Sequence, residues 1–171
     1  MPGREMAKTV TIRKAVLDDL GTIVAIYNEA ILHTVATFDT QTKTLQEQEA
    51  WFLAHGPRNP ILVAESEREV AGWASLSLWS DRCAYSDTAE ISIYVAEKHQ
   101  GKGIGKRLIG AIVEEGGKVG LHSAIARITE GNQISIDLHR SVGFEPIGVM
   151  KEVGRKFGKL LDVYLMQKIY R

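Results

Sequence analysis

Two neighbouring stretches of this chain carry residue types that do chemistry together. In Thr88-Ala89-Glu90-Ile91-Ser92-Ile93-Tyr94-Val95, apolar and polar residues alternate with the period of a strand. That alternation puts one carboxylate, Glu90, on a polar face with Thr88 and Ser92. Just downstream, Gln100-Gly101-Lys102-Gly103-Ile104-Gly105 is a glycine-rich loop. Beyond it Leu108, Ile109, Ile112 and Val113 continue the helical spacing begun at Ile104, with Lys106, Arg107, Glu114 and Glu115 opposite. Glycines let a main chain approach a ligand closely, and free N–H groups at a helix start bind anions. A strand, loop and helix of this kind is built to hold a phosphate beside a carboxylate, unless the loop merely starts the helix. Gly116-Gly117 is expected to end that helix.

Two common phosphate loops do not fit. No window supplies the G-x-x-x-x-G-K-[ST] of a P-loop. In the dinucleotide pattern G-x-G-x-x-G, the third glycine would fall on Lys106 or on Leu108. The pattern present is Q-x-x-G-x-G, at Gln100, Gly103 and Gly105. Further along, Asn132 and His139 lie two helical turns apart and can share a face. His33, His55, His99 and His122 have no metal-ligand spacing, and no metal is assigned. The single cysteine, Cys83, excludes an internal disulfide framework and suits a reducing cytoplasm.

The elements that must position these residues follow from periodicity and punctuation. Val10–Arg13 reads as a strand. Asp18 or Asp19 caps a helix with Leu20, Ile23, Val24 and Tyr27 on one face. Residues 34–42 are irregular, and Thr44-Leu45-Gln46-Glu47 is a capping box opening a helix to about His55, with Trp51 and Phe52 on its core side. Ile61–Glu65 and Val70–Leu78 form a hairpin, and a polar and aromatic loop runs from Trp79 to Asp87. Ser123–Ile128 is a strand, and Asn132 caps a helix through about Val142 with Gly143 as its C-cap glycine. Phe144–Val153 and Leu160–Lys168 are closing strands, joined by a turn containing Gly154 and Gly158. Hairpins mixed with one strand–helix–strand crossover point to an α/β domain with a mixed sheet flanked by helices. At 171 residues a single domain is expected. Twenty-one basic and 21 acidic residues give no electrostatic case for nucleic acid or a membrane surface. No apolar run approaches a membrane span, and residues 1–8 lack a signal-peptide core.

Four ordered segments carry a family resemblance. They are Trp79-x-x-Arg82-x-Ala84-Tyr85-x-x-Thr88 through Val95; Gln100 to Gly105; Asn132-x-x-Ser135-x-x-Leu138-His139-x-x-x-Gly143-Phe144; and Gly154-Arg155-Lys156-Phe157-Gly158 with Leu161-Asp162. Together with Ala36-Thr37-Phe38, they resemble the GNAT acetyltransferase superfamily, and within it the phosphinothricin and methionine sulfone/sulfoximine N-acetyltransferases. The chain departs from that branch at Ala89, where valine is usual, and around Ser80–Cys83.

The resemblance implies a GNAT-type, mostly antiparallel sheet flanked by helices in a single domain, with residues 1–9 as a flexible N-terminus. It implies an N-acetyltransferase that uses acetyl-CoA and no metal, and a small amino-acid analogue as acceptor. The alternatives are a protein N-terminus or polyamine as acceptor, or a non-catalytic acyl-CoA-binding module. Glu90 would be the general base near the acceptor amine; a carboxylate in a partly desolvated cleft is a stronger base than one in water. Main-chain groups of Ile93, Tyr94 and Val95 would pair with the pantetheine arm. Gln100, Gly101, Lys102, Gly103, Ile104, Gly105 and Lys106 would hold the pyrophosphate, and Asn132 and Ser135 the pantetheine. His139 would be a general acid for the thiolate or only a contact to CoA. Thr37, Phe38, Arg82, Tyr85 and Glu90 would bind the acceptor. The resemblance further implies a homodimer with the final hairpin near its interface; the charge balance and the lone cysteine lead us to expect no nucleic acid or membrane partner and a cytoplasmic location.

Overall fold

The computed structural model describes residues 9–171, so the flexible N-terminus expected at 1–9 lies, apart from Thr9, outside the described residues. Seven strands form one sheet: β1 (Val10–Lys14), β2 (Ile61–Ser66), β3 (Glu69–Leu78), β4 (Thr88–Val95), β5 (Ser123–Thr129), β6 (Glu145–Lys156) and β7 (Lys159–Ile169). Their order is β1-β2-β3-β4-β5-β7-β6, and every neighbouring pair is antiparallel except β4 and β5. The one parallel pair is joined by the crossover helix α3 (Ile104–Lys118). The other helices are α1 (Leu20–His33), α2 (Leu45–Ala54) and α4 (Gln133–Ser141). None of the described helices is long and apolar enough to cross a membrane.

Alternation along the strands sorts the core into two layers. Leu62, Ala64, Ala74, Leu76, Ala89 and Ile91 pack against Ile104, Leu108, Ile109 and Ile112 of α3, with Ile136 and Leu138 of α4 at the margin. On the opposite face Val63 and Trp73 meet Ile23 and Ile26 of α1, joined by Tyr27, Trp51 and Tyr94. Edge-on ring contacts, such as Tyr27 to Tyr94 at 5.1 Å, fix this aromatic layer. Trp51 is on the core side of α2 as its spacing implies, whereas Phe52 is only partly buried and lies outside that cluster.

Thr44 and Glu47 form the expected capping box: Thr44 Oγ1 accepts from Glu47 N–H (3.2 Å), and Glu47 Oε2 accepts from Thr44 N–H (2.7 Å). Asp19 takes the N-cap position of α1, but its side chain makes no capping bond to that helix. Its carboxylate accepts from Val16 N–H at 2.8 Å, closing a short 3-10 turn before the helix, and takes two hydrogen bonds from Arg13. That pair holds the Asp19 carboxyl below its ordinary value.

Gly116 and Gly117 do not end α3, which continues to Lys118. Termination falls to Gly120, at φ +79°, with Leu121 N–H bonded to Gly116 C=O and Gly120 N–H to Gly117 C=O, the paired bonds of a Schellman ending. Gly116 has a packing reason instead. A Cβ there would lie 2.3 Å from the Tyr170 hydroxyl and 2.9 Å from Leu76 Cδ1. Likewise Gly154 lies within β6, and the β6–β7 turn is Phe157-Gly158.

Gly116→Ala therefore sets a gain in helix propensity of about 1 kcal/mol against overpacking of about 1–3 kcal/mol. The Tyr170 main chain is tied in place, its N–H bonded to His122 C=O at 2.8 Å, so relief must come from the ring alone. We expect a net loss and a melting temperature lower by several degrees in thermal denaturation; an equal or higher value would mean the Tyr170 ring yields freely.

Candidate active site

The site begins where β4 and β5 part. Their parallel pairing covers Thr88–Glu90 against Ser123–Ile125 and stops there. On its other edge β4 remains paired with β3 through Val95, and β5 with β7 through Thr129. The two strands thus diverge while each is still held by its outer neighbour. Residues 91–95 are left with a main-chain edge that no β5 residue pairs with.

A cavity of about 480 Å³ opens on this split. Glu90, Ser92 and Tyr94 line it from β4, Arg127 and Thr129 from β5, and Asn132, Ser135 and His139 from the start and body of α4. Its roof is the irregular segment Ala36–Asp39, and Met150, Val153 and Val163 close the side toward the final hairpin. Two of the four resemblance segments line it, those around Glu90 and Asn132, and the glycine loop follows the end of β4 in the chain.

Glu90 does not stand alone in an apolar cleft. Arg127 donates from Nε to Oε1 at 2.7 Å and from Nη2 to Oε2 at 2.6 Å. This is a two-pronged, charge-assisted pair, the geometry that orients a carboxylate most firmly. Glu90 raises the Arg127 guanidinium above its ordinary value. Trp79 lies under the guanidinium, 5.5 Å from ring centre to Cζ. Arg127 is a site residue that the sequence reading missed. The available signal was weak: on β5, Ser123, Ile125 and Arg127 share one face, but only the β4–β5 register puts that face beside Glu90.

The roof is fixed by a polar network. Tyr27 Oη hydrogen-bonds to Asp39 and, at 3.1 Å, to Thr37 Oγ1, which also accepts from Asp39 N–H. From the far hairpin, the buried Lys156 donates from Nζ to Thr37 C=O at 2.7 Å. Burial pushes the Lys156 ammonium below its usual value. Phe38 lies on β6 so closely that a Cβ at Gly154 would be 2.2 Å from its ring. Thr37 and Phe38 thus line the cavity as expected. Burial pushes the Tyr94 phenol up to about 12, so it is a hydrogen-bond donor at neutral pH.

His139 is buried against Phe144, with ring centroids 5.2 Å apart. Its Nδ1 lies 2.7 Å from Ser135 C=O. A carbonyl only accepts, so the proton is on Nδ1 and Nε2 is bare. Burial lowers the pKa of this imidazole. The one proton of the neutral ring is engaged with Ser135 C=O, an arrangement more in keeping with a contact than with an acid.

The glycine loop has the expected form. Gly101 and Gly103 take φ of +73° and +77°, which side chains rarely tolerate. Gly103 is the N-cap of α3 and no side chain caps that helix, so its first-turn N–H groups are open to an anion. The Gln100 side chain is committed within the loop, donating to Val95 C=O at 3.1 Å, and Lys102 Nζ donates to Lys98 C=O at 2.8 Å. Ile104 is a fully buried core residue and Lys106 is exposed. Asn132 caps α4, its Oδ1 accepting from Ser135 N–H at 3.2 Å. Gly143, at φ +92°, ends α4 as expected.

Arg82 and Tyr85 are not brought to this cavity. Both are exposed on the loop between β3 and β4, and neither lines it. Cys83 is exposed beside them. His99 is buried and bonded to Glu69 at 2.8 Å, and His55 bridges Trp51 C=O and Ser77 Oγ.

Residues 23–144 match the sequence profile of the acetyltransferase (GNAT) family. The chain is 42% identical over 161 residues to the L-methionine sulfoximine/L-methionine sulfone acetyltransferase of Pseudomonas paraeruginosa, spanning 93% of this chain and 94% of that protein. Among solved structures it resembles a phosphinothricin acetyltransferase from Sinorhizobium meliloti in complex with AcCoA, at TM-score 0.91 and 39% identity, covering 94% of this chain and 88% of that one. It also resembles a ribosomal-protein-alanine N-acetyltransferase from Brucella melitensis, at TM-score 0.90 and 40% identity, covering 94% and 99%.

The buried histidines make stability depend on pH. His55 and His139 both have folded pKa values lowered by burial. The unfolded chain therefore binds protons first as pH drops below about 6.5. Stability is full above that value and falls as pH approaches the folded pKa values. We expect the melting temperature to drop between pH 7 and pH 5, and the slope to flatten in part in His139→Gln. A melting temperature constant across that window would show that neither ring is held neutral by the fold.

Proposed function

The chain belongs to the acetyltransferase (GNAT) family and is an N-acetyltransferase; on that premise we propose that it moves the acetyl group of acetyl-CoA to the α-amino group of a small amino acid of the methionine sulfone, methionine sulfoximine or phosphinothricin type. The observation that carries this reading is Glu90, fixed by Arg127 where β4 and β5 part, next to an unpaired main-chain edge.

The residues present fit acetyl-CoA. The edge at 91–95 offers main-chain donors and acceptors to an extended amide-bearing arm. The open first turn of α3, with Gly101 and Gly103 bringing the main chain close, suits a pyrophosphate. Asn132 keeps its amide N–H donors free of the capping bond, which uses only its oxygen. Bound acetyl-CoA supplies a thioester carbonyl for the amine to attack and a thiolate to leave.

The chain's own residues then handle the proton and the alignment. An α-ammonium is mostly protonated at neutral pH and must lose a proton to become a nucleophile. Glu90 accepts one hydrogen bond from Arg127 on each oxygen and retains lone pairs on both. It takes the ammonium proton directly or across one water. Arg127 keeps the carboxylate from rotating away, and the roof at Thr37 and Phe38 closes over the acceptor. Alignment of this kind converts binding energy into rate.

A protein N-terminus is the second acceptor reading, favoured by the likeness to the Brucella melitensis enzyme. A CoA-release assay across methionine sulfone, methionine sulfoximine, phosphinothricin, spermidine and short alanine-leading peptides decides between the two. We also propose a homodimer built on the β6–β7 hairpin: β6 is an edge strand whose Ile147, Val149 and Val153, with Phe157 and Leu160 beyond, leave apolar surface exposed. Val149→Glu should shift sedimentation from twice the 18.9 kDa chain mass toward a single chain; a monomeric wild type would remove the dimer. The lone Cys83 remains our reason for placing the enzyme in a reducing cytoplasm.

Glu90→Gln preserves size and removes the basic oxygen. Loss of a general base costs about 10²–10⁴-fold in turnover. We expect that loss in kcat with acetyl-CoA binding unchanged by calorimetry, and partial recovery at high pH, where free amine is abundant. Near wild-type kcat at neutral pH would take the base role away from Glu90.

A further inference from the structure

The Glu90–Arg127 pair uses only one edge of the guanidinium. Nε and Nη2 face Glu90, at 2.7 and 2.6 Å. A guanidinium carries five N–H donors in a planar fork, and no further hydrogen bond of Arg127 is present among the described residues. The remaining end, formed by Nη1 and the second hydrogen of Nη2, is therefore unused. Its side chain is 51% exposed, it lines the cavity, and the Trp79 ring steadies it from one face. A fixed, half-exposed guanidinium with a free two-pronged end is a receptor for a second planar oxyanion.

We propose that Arg127 is the acceptor's carboxylate anchor, gripping Glu90 with one edge and the α-carboxylate of the incoming amino acid with the other. This rests on the amino-acid reading of the acceptor given above. The two groups of an α-amino acid are attached to the same carbon. An acceptor whose carboxylate seats on the free end of Arg127 thus carries its ammonium next to the carboxylate that Arg127 itself holds. One side chain sets both the base and the substrate, and the distance between them is fixed by the planar fork. Arg82, the anchor expected from sequence, is exposed outside the cavity and has no such relation to Glu90. Among the described residues Arg127 is the one lysine or arginine lining the cavity, and nearby Lys156 is buried and bonded to Thr37 C=O.

The test compares methionine sulfone with its carboxamide, which keeps the amine and removes the charge. Loss of a charge-assisted hydrogen bond corresponds to roughly ten- to a hundred-fold in kcat/KM. Wild type should favour the acid by about that factor. Arg127→Gln should raise KM for the acid and collapse the ratio toward one, with KM for acetyl-CoA unchanged. Arg127→Lys, which keeps a charge without the fork, should fall between, and it keeps the test alive if the glutamine variant does not fold. Glu90→Gln separates the two roles: kcat falls while the preference for the acid persists, because the free end of Arg127 is intact. If wild type acetylates the sulfone and the acid-to-amide ratio survives in Arg127→Gln, Arg127 is not the anchor and the amino-acid reading stands. If wild type acetylates neither compound but accepts an alanine-leading peptide, the amino-acid reading falls and takes this inference with it.

Discussion

Everything at this site depends on two parallel strands ceasing to pair. β4 and β5 are hydrogen-bonded only from Thr88 to Glu90, yet each continues for several residues, because β3 holds one and β7 the other. A strand released on one edge exposes main-chain donors and acceptors without losing its position, since its other ladder is complete. The divergence also makes room between side chains that a continuous sheet would press together. Glu90 is the last β4 residue still paired with β5, and Arg127 reaches it from two residues beyond the corresponding Ile125. The ion pair is therefore a bridge at the apex of the split. The capped start of α4 lines the opening, and α3 follows the free end of β4 through the glycine loop. The crossover from β4 through α3 to β5 returns the chain to the same gap.

Much of this was legible along the chain because it is local. Alternation in Thr88–Val95 located both the strand and the face that Glu90 shares with Ser92. The glycine loop, the Thr44–Glu47 box, and Asn132 with Gly143 at the two ends of α4 are short-range signals, and each appears as read. What escaped depends on register or on contacts distant in sequence. Arg127 reads as an ordinary polar residue on β5 until the register places it beside Glu90. Gly116 reads as a helix stop, and only the approach of Tyr170, from the far end of the chain, explains its lack of a side chain. Arg82 sits in a resemblance segment, but the loop that carries it turns to solvent. His139 reads as an acid or a contact; only the structure shows the carbonyl one helical turn before it, Ser135, to which its Nδ1 is bonded.

The Gly154-Arg155-Lys156-Phe157-Gly158 stretch acquires a physical meaning from the same distant contacts. Gly154 leaves space for the Phe38 ring, and Lys156 spends its ammonium on the Thr37 carbonyl. A buried lysine held by one carbonyl is expensive in desolvation, and its lowered pKa reflects that cost. Such an arrangement persists when it fixes something, and here it fixes the roof over Glu90. Tyr27 and Asp39 hold the same segment from the other side. The cavity wall is thus assembled from residues 36–39, the β4–β5 apex and the closing hairpin.

An ion pair at the apex also resolves a conflict between positioning and reactivity. A base that must meet a small, mobile amine needs a fixed orientation, and a lone glutamate on a strand face has free rotamers. Packing it in an apolar pocket would fix it, at the cost of closing the route by which a charged amino acid enters. A two-pronged contact with a half-exposed arginine gives orientation while leaving the pair in contact with solvent. Exposed pairs contribute little to stability, about 0–1 kcal/mol, so the fold does not need this one to stand. Its value lies in geometry. The same guanidinium that orients Glu90 adds positive charge beside it, which on the proposed function would offset the repulsion that an unpaired glutamate presents to an amino acid's carboxylate. On the function proposed above, a site that deprotonates an ammonium beside a carboxylate needs both properties at once, and the Glu90–Arg127 pair would supply them from two strands that pair only at this point.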